Sequence, residues 1–162
     1  MVIRDATQAD KEVIVALIRD SFRDVAEKFA LTVENCPKFA GFNAHERVED
    51  DFKKGLRYYI LEDNGRACGC VALEKAGPDV CYLGRLAVLP EHRNKGFGQA
   101  LVNHLFEQAK KIDIRRVEIG LISKHRKLKA WYKKLGFIQI RTKKFDHLPF
   151  IVAFMYKESS HL

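Results

Sequence analysis

Long hydrophobic runs are absent from this chain. The longest uncharged apolar stretches, Val13 to Ile18 and Phe150 to Tyr156, fall far short of the roughly 20 residues a membrane-spanning helix needs. No membrane partner is therefore expected. The N-terminal Met-Val-Ile-Arg-Asp has no apolar secretory segment, so a cytoplasmic location is expected. Cysteine is sparse. Cys36, Cys68, Cys70 and Cys81 form no Cys-x-x-Cys pair, and no histidine pair has zinc spacing, so no metal site is expected. Cys68, Cys70 and Cys81 fall in strand-like segments, where cysteine packs as a small apolar residue. No Gly-Lys-Ser/Thr triplet occurs, which excludes the commonest nucleotide loop. Linkers, repeats and low-complexity segments are also missing. The 162 residues read as a single domain over 1–162, long enough for a sizeable core.

Acidic residues are in deficit. Twenty-nine Lys and Arg against 21 Asp and Glu leave a formal charge of +8, and thirteen of the basic residues lie between Lys110 and Lys144. Such a balance suits a nucleic-acid binder or an enzyme that holds a polyphosphate ligand. No nucleic-acid-binding motif accompanies it.

Apolar spacing sets out the elements. Val2-Ile3-Arg4 reads as a strand. Thr7-Gln8-Ala9-Asp10 is a capping box, ahead of a helix carrying Ile14, Leu17, Ile18, Phe22, Val25 and Phe29 on one side. Regularity breaks over Thr32 to Phe42, at Cys36-Pro37. A charged helix from Asn43 to Gly55 has only Val48 and Phe52 as strong apolar points, so it is expected on the surface. Three strands follow as a meander, Arg57 to Glu62, Ala67 to Glu74 and Val80 to Leu89, with an Asp63-Asn64-Gly65 hairpin between the first two. A helix with Leu101, Leu105, Phe106 and Ala109, a strand Val117 to Ile122 and a helix Lys124 to Leu135 come next. Gly136 stops that helix. Phe137 to Arg141 and Phe150 to Met155 close the chain as an antiparallel pair.

The most informative run is Leu86 to Leu101. An apolar strand enters a basic loop, Arg93-Asn94-Lys95-Gly96-Phe97-Gly98-Gln99, and the loop enters a helix. The first N–H groups of a helix lack internal acceptors, and that end of the dipole is positive. Gly96 and Gly98 let an anion approach the backbone. Arg93 and Lys95 add charge, with Arg93 able to fork onto phosphate. The dinucleotide fingerprint is excluded because Leu101 stands where its third glycine belongs.

Arg-x-x-Gly-x-Gly after Leu-Ala-Val-Leu-Pro resembles the acetyl-CoA loop of the Gcn5-related N-acetyltransferase (GNAT) family. Trp131-Tyr132 followed by Gly136-Phe137 resembles that family's late helix, Ala-x-x-Leu-Tyr-x-x-x-Gly-Phe. The order of elements agrees, so the resemblance covers nearly the whole chain. It implies an α/β fold, a mixed and mostly antiparallel sheet flanked by helices. It also implies direct transfer of an acetyl group from acetyl-CoA to a primary amine.

Carried over residue by residue, the resemblance assigns Arg93 to Gly98 to the pyrophosphate, with Gln99 at the helix start. Leu86, Ala87 and Val88 would supply backbone to the pantetheine arm and an oxyanion donor. Lys129 and Lys133 would meet the nucleotide end. Tyr132 would be the general acid. His125 stands where the family often has asparagine, and Leu128 where alanine is usual. No carboxylate occupies the strand before the glycine loop, where many members keep their base. Glu118, Glu74, His147 and Tyr82 are the candidates, with Glu118 foremost. Leu31 to Pro37 and Phe145 to Phe150 would shape the acceptor pocket, for a small-molecule amine ahead of a protein lysine or N-terminus. Valine at Gly98 is expected to abolish acetyl-CoA binding with the fold largely intact. The rival readings are a non-catalytic acyl-CoA sensor and a basic nucleic-acid module. A homodimer is compatible with the resemblance.

Overall fold

Thr7 opens the first helix as its sequence requires. Its hydroxyl accepts from the Ala9 N–H at 3.3 Å, and the Asp10 carboxylate accepts from the Thr7 N–H at 2.9 Å. Behind this turn, in a computed structural model that describes residues 1–159, runs α1 (Lys11–Lys28). Helices α2 (Ala44–Lys53), α3 (Phe97–Lys111) and α4 (Arg126–Lys134) follow at the expected places.

Among the described residues seven strands form one sheet. They are β1 (Val2–Asp5), β2 (Arg57–Asp63), β3 (Arg66–Lys75), β4 (Val80–Val88), β5 (Arg116–Ile122), β6 (Ile138–Lys144) and β7 (Ile151–Glu158), in the order β1-β2-β3-β4-β5-β7-β6. Every pairing is antiparallel except β4 with β5. That pair is joined by α3, because parallel neighbours need a crossover. The β2–β3 turn has Asn64 at φ 52° and Gly65 at φ 76°, the two positive values a tight hairpin demands.

Alternation along the strands sends side chains to two cores. Leu73, Cys81, Val117, Ile119 and Met155 meet Leu101 and Leu105 of α3 on one face. Tyr58, Ile60, Cys70 and Ala72 meet Ile14, Ile18 and Val48 on the other, under α1 and α2. All four cysteines are buried and free. No helix among the described residues is long and apolar enough to cross a membrane.

Helix α2 departs from the surface helix that its composition suggests. Ala44 and Val48 are buried, and so is Asp51, at 2 % exposure. Positions 44, 48 and 51 form one narrow helical stripe, and its last member is charged. Asp51 is stabilised there by three donors: the Tyr58 hydroxyl, Arg85 Nε at 3.0 Å and Arg85 Nη2 at 3.1 Å. Burial, and then the Asp51 carboxylate, push the Tyr58 phenol up from its ordinary value, so it remains a donor.

Removing one partner of a buried ion pair leaves the other charge uncompensated. Asp51→Ala is expected to lower unfolding free energy by about 3 kcal/mol, read as a shift in the urea midpoint. A change below about 0.5 kcal/mol, the range of ordinary surface substitutions, would show that Arg85 and Tyr58 find other partners.

Candidate active site

Strands β4 and β5 pair over one short stretch, Val80 to Tyr82 against Arg116 to Glu118. Beyond it Leu83 to Val88 and Ile119 to Ile122 run on without pairing to each other. The cause lies in β4. Cys70 faces Ala87 and Ala72 faces Gly84, so β4 carries one residue more than β3 in that interval. Arg85 sits in this bulge at φ 55°, in the left-handed region that costs a non-glycine residue energy. A bulge bends its strand and adds twist, which turns β4 away from β5. The Arg85 side chain is the one that Asp51 holds.

The parting opens into a cavity of about 480 Å³. Phe22 and Phe39 close it on the α1 side, Glu74, Tyr82 and Glu118 line its sheet walls, and Tyr132 of α4 borders it on the far side. The cavity therefore passes through the sheet.

The loop after β4 leads into α3. Asn94 has φ 63° and Gly96, the residue capping α3, has φ 80°. The first internal bond of the helix runs from the Ala100 N–H to the Gly96 carbonyl at 3.0 Å. The N–H groups of Phe97, Gly98 and Gln99 have no acceptor among the described residues, and with exposed Asn94, Lys95 and Gly96 they leave a set of free donors where the sequence leads one to expect an anion cradle.

Arg93 departs from that reading. Its Nε donates to the Val88 carbonyl at 3.1 Å, Nη2 donates to the Ser21 carbonyl at 2.8 Å, and Nη1 donates to Asp24. The guanidinium ties the loop to α1 and is not open for a forked phosphate contact. Burial alone would raise the Asp24 pKa, yet the bonds from Arg93 hold it below the ordinary value. Lys95 remains the loop's exposed cation, with Nζ 3.5 Å from His92 Nδ1.

Gly98 also has a second role. A Cβ there would stand 3.2 Å from Trp131 Cζ2, so this glycine sets how closely α3 approaches α4. Of Leu86, Ala87 and Val88, only Leu86 lines the cavity. Ala87 is buried against the α1 and α2 core, and Val88 spends its carbonyl on Arg93.

Tyr132 is 5 % exposed, with its ring edge-on to Trp131 at 4.9 Å and Phe137 at 5.2 Å. Its phenol has no hydrogen-bond partner among the described residues, and burial pushes its pKa up. The Gly136 turn holds this end of α4, where the Phe137 N–H donates to the Tyr132 carbonyl at 3.0 Å. His125 lines the cavity and caps α4, with Nδ1 accepting from the Leu128 N–H at 3.4 Å. Burial lowers its pKa, favouring the neutral form that capping requires. Lys129 reaches Ser123 Oγ at 3.5 Å.

Glu118 and Glu74 both line the cavity, with Tyr82 between them in register. Glu118 Oε2 lies 3.0 Å from Arg116 Nε. That ion pair falls outside hydrogen-bond geometry, since the same Nε has no hydrogen-bond partner. His147 is exposed and away from the cavity. Leu31 and Cys36 do not line the main cavity either. They pack with Leu148 and Phe150 around Ile122, while Phe22, Val25, Phe39 and Ala40 form the wall expected from Leu31 to Pro37. Arg85 and Asp51 have little signature in the sequence: Arg85 is a charge inside an otherwise apolar strand, and Asp51 is one of several carboxylates on α2 with nothing local to set it apart.

The model of the acetyltransferase (GNAT) family matches residues 18–137. The chain belongs to that family. The acetyltransferase is 27% identical over 142 residues to the uncharacterized N-acetyltransferase YjgM of Escherichia coli (strain K12), covering 86% of this chain and 83% of that one. Its fold matches the ribosomal-protein-alanine N-acetyltransferase of Brucella melitensis with a TM-score of 0.73 at 21% identity, over 98% and 99% of the two chains. An aminoglycoside 6'-N-acetyltransferase complexed with coenzyme A matches with a TM-score of 0.73 at 16% identity, over 100% and 99%.

The contact with Trp131 changes what a valine at Gly98 should do. Gly98→Val is expected to cost about 1–3 kcal/mol of stability by overpacking, seen as a lowered thermal midpoint. An unchanged midpoint would show that Trp131 moves aside freely, and would return Gly98 to the cradle alone.

Proposed function

We propose that this acetyltransferase moves an acetyl group from acetyl-CoA to a primary amine by direct attack, with both substrates bound together. The observation that carries the reading is the cavity through the β4–β5 parting. It joins the Tyr132 side, at α4, to the carboxylate-lined side under α1. Two substrates can enter from opposite faces and meet in the opening.

The residues present fit acetyl-CoA. The unpartnered N–H groups at the start of α3 and the Lys95 ammonium would hold its pyrophosphate, and the unpaired edge of β4 past Tyr82 would take its extended arm. Acetyl-CoA supplies an acetyl thioester, whose carbonyl carbon is the electrophile. An N–H of the β4 bulge near Leu86 would face that carbonyl oxygen as a fixed donor.

The chain's own groups then handle protons. An alkyl ammonium has a pKa near 10.4, so only about one molecule in a few thousand is neutral at pH 7. Glu118, at the last paired row before the parting, takes that proton directly or through water, with Arg116 fixing one of its oxygens. Tyr132 is the hydroxyl-bearing residue of α4 that lines the cavity. Burial raises its pKa above that of a thiol, about 8.5. Its part is therefore to donate a hydrogen bond to the departing sulfur more than to surrender its proton outright.

Two further observations support direct attack and a small acceptor. Burial holds the Cys70 and Cys81 thiols up to about 12, and no cysteine lines the cavity, so an acyl-cysteine route has no nucleophile there. The cavity volume lies in the range of small-molecule sites. The two carboxylates that line the cavity favour an enzyme over a non-catalytic sensor, which a missing base would suggest. The basic run is divided among α3, β5, α4 and β6, without forming one groove-entering element.

Tyr132→Phe is expected to reduce kcat by about 100-fold or more, with acetyl-CoA affinity by calorimetry changed less than about threefold. Full activity in that variant would remove Tyr132 from the chemistry. Glu118→Gln is expected to reduce kcat by about 100-fold, with acetyl-CoA affinity by calorimetry little changed. An unchanged kcat would assign the base elsewhere.

A further inference from the structure

The charged side chains that line the cavity sort into two groups. Arg85 is paired with Asp51, and Glu118 with Arg116. Glu74 on β3 and Arg141 on β6 also line the cavity, and neither has an ion-pair partner among the described residues. A half-buried carboxylate and an exposed guanidinium, both unpaired at one cavity, are complementary to a ligand carrying both signs.

Their placement is set by the sheet register. Glu74, Tyr82, Glu118 and Tyr156 form one row across β3, β4, β5 and β7. In the adjacent row on the same face stand Ala72, Gly84, Gly120, Phe154 and Arg141. Glu74 and Arg141 thus stand on opposite sides of the parting, four strand spacings or roughly 19 Å apart at the backbone. The Arg141 guanidinium lies 4.6 Å over the Phe154 ring, which leans it inward from the sheet edge.

Between them the floor is bare. A Cβ on Gly84 would meet nothing within 4 Å, and one on Gly120 would meet Val152 and Phe154 only at ordinary contact, 3.4 and 3.5 Å. Neither glycine has a positive φ. Backbone conformation and packing therefore ask for glycine at neither position. Their common effect is open space over the parting, between the two unpaired charges. Phe22, Val25 and Phe39 supply an apolar wall beside it.

We propose that the acceptor is a zwitterion, a small amine that also carries a carboxylate, lying over Gly84 and Gly120 with its ammonium toward Glu74 and its carboxylate on Arg141. This assignment of substrate class rests on the acyl-transfer reading above. Glu74 holds the amine beside Glu118 before the proton leaves. Arg141 supplies a planar fork to the carboxylate. An amino acid with an apolar side chain satisfies all three surfaces.

The test uses the full chain with acetyl-CoA and a panel of free amino acids, each compared with its own carboxamide. Thiol release reports transfer. Calorimetry of the same compounds on protein saturated with CoA, which holds no acetyl group, reports binding alone. The free amino acids are expected to bind, and to react with kcat/KM, at least tenfold better than their amides. Arg141→Gln is expected to erase that preference while leaving acetyl-CoA affinity unchanged, and Arg141→Lys to restore part of it. Glu74→Gln is expected to raise KM for amino acids and amides alike. Transfer to amides or simple amines as good as to amino acids would overturn the zwitterion while leaving acyl transfer standing. A preference for amino acids that survives in Arg141→Gln would overturn Arg141 as the anchor. Acetyl-CoA binding with no transfer to either set would overturn the zwitterion, and the same failure with simple alkyl amines added to the panel would overturn acyl transfer itself.

Discussion

Everything in this molecule depends on two strands being kept apart. A parallel pair in the middle of a sheet gains by zipping along its full length, because each unpaired N–H and C=O in a dry interior is costly. Strands β4 and β5 stop after three residue pairs. The extra residue in β4 sends it off line, and its left-handed Arg85 persists because the surroundings over-determine it. Asp51, reaching from α2, grips two of the five Arg85 donors and accepts from Tyr58. A buried carboxylate without those donors would be expelled or neutralised. The same bonds that make Asp51 tolerable in the core therefore fix the bulge, and the bulge fixes the opening.

The second constraint is the seating of the loop after β4. A helix N-terminus attracts anions only if its N–H groups converge on one place, and here the loop is fastened from both sides. Arg93 anchors it to α1 through Ser21 and Asp24, and to β4 through Val88. Gly98 lets Trp131 of α4 approach the first turn of α3. The charge that the loop commits to this fastening is lost to ligand binding. What is gained is a preorganised set of backbone donors, whose alignment costs nothing further when an anion arrives.

Electrostatics inside the cavity follow from which charges find partners. Arg85 and Glu118 carry their own counter-charges, and so shape the site without demanding an ion from a ligand. Glu74 and Arg141 carry none. Tyr132 is the reverse case, a neutral group whose burial keeps it protonated. Carboxylates, the unpaired edge of β4 and a buried phenol thus border one cavity, each held on a different element.

The sequence by itself determined the elements and the glycine loop that opens α3. Periodicities of two and 3.6, the Thr7 box, the Asn64-Gly65 turn and the glycine stop at Gly136 are local, and local rules are written in neighbouring residues. So is the glycine loop, because its chemistry lies in consecutive N–H groups. The likeness of that loop and of the Tyr132 helix to one family was legible for the same reason. Tertiary structure decided the rest. Arg93 looked like a phosphate ligand until α1 brought Asp24 to it from 69 residues away. Helix α2 looked like a surface element until Asp51 met an arginine 34 residues on. No local pattern marks a residue as the one a bulge will turn over, or names the two charges left without partners once the others have paired. Those outcomes are set by register between distant strands, which exists only when the sheet has formed.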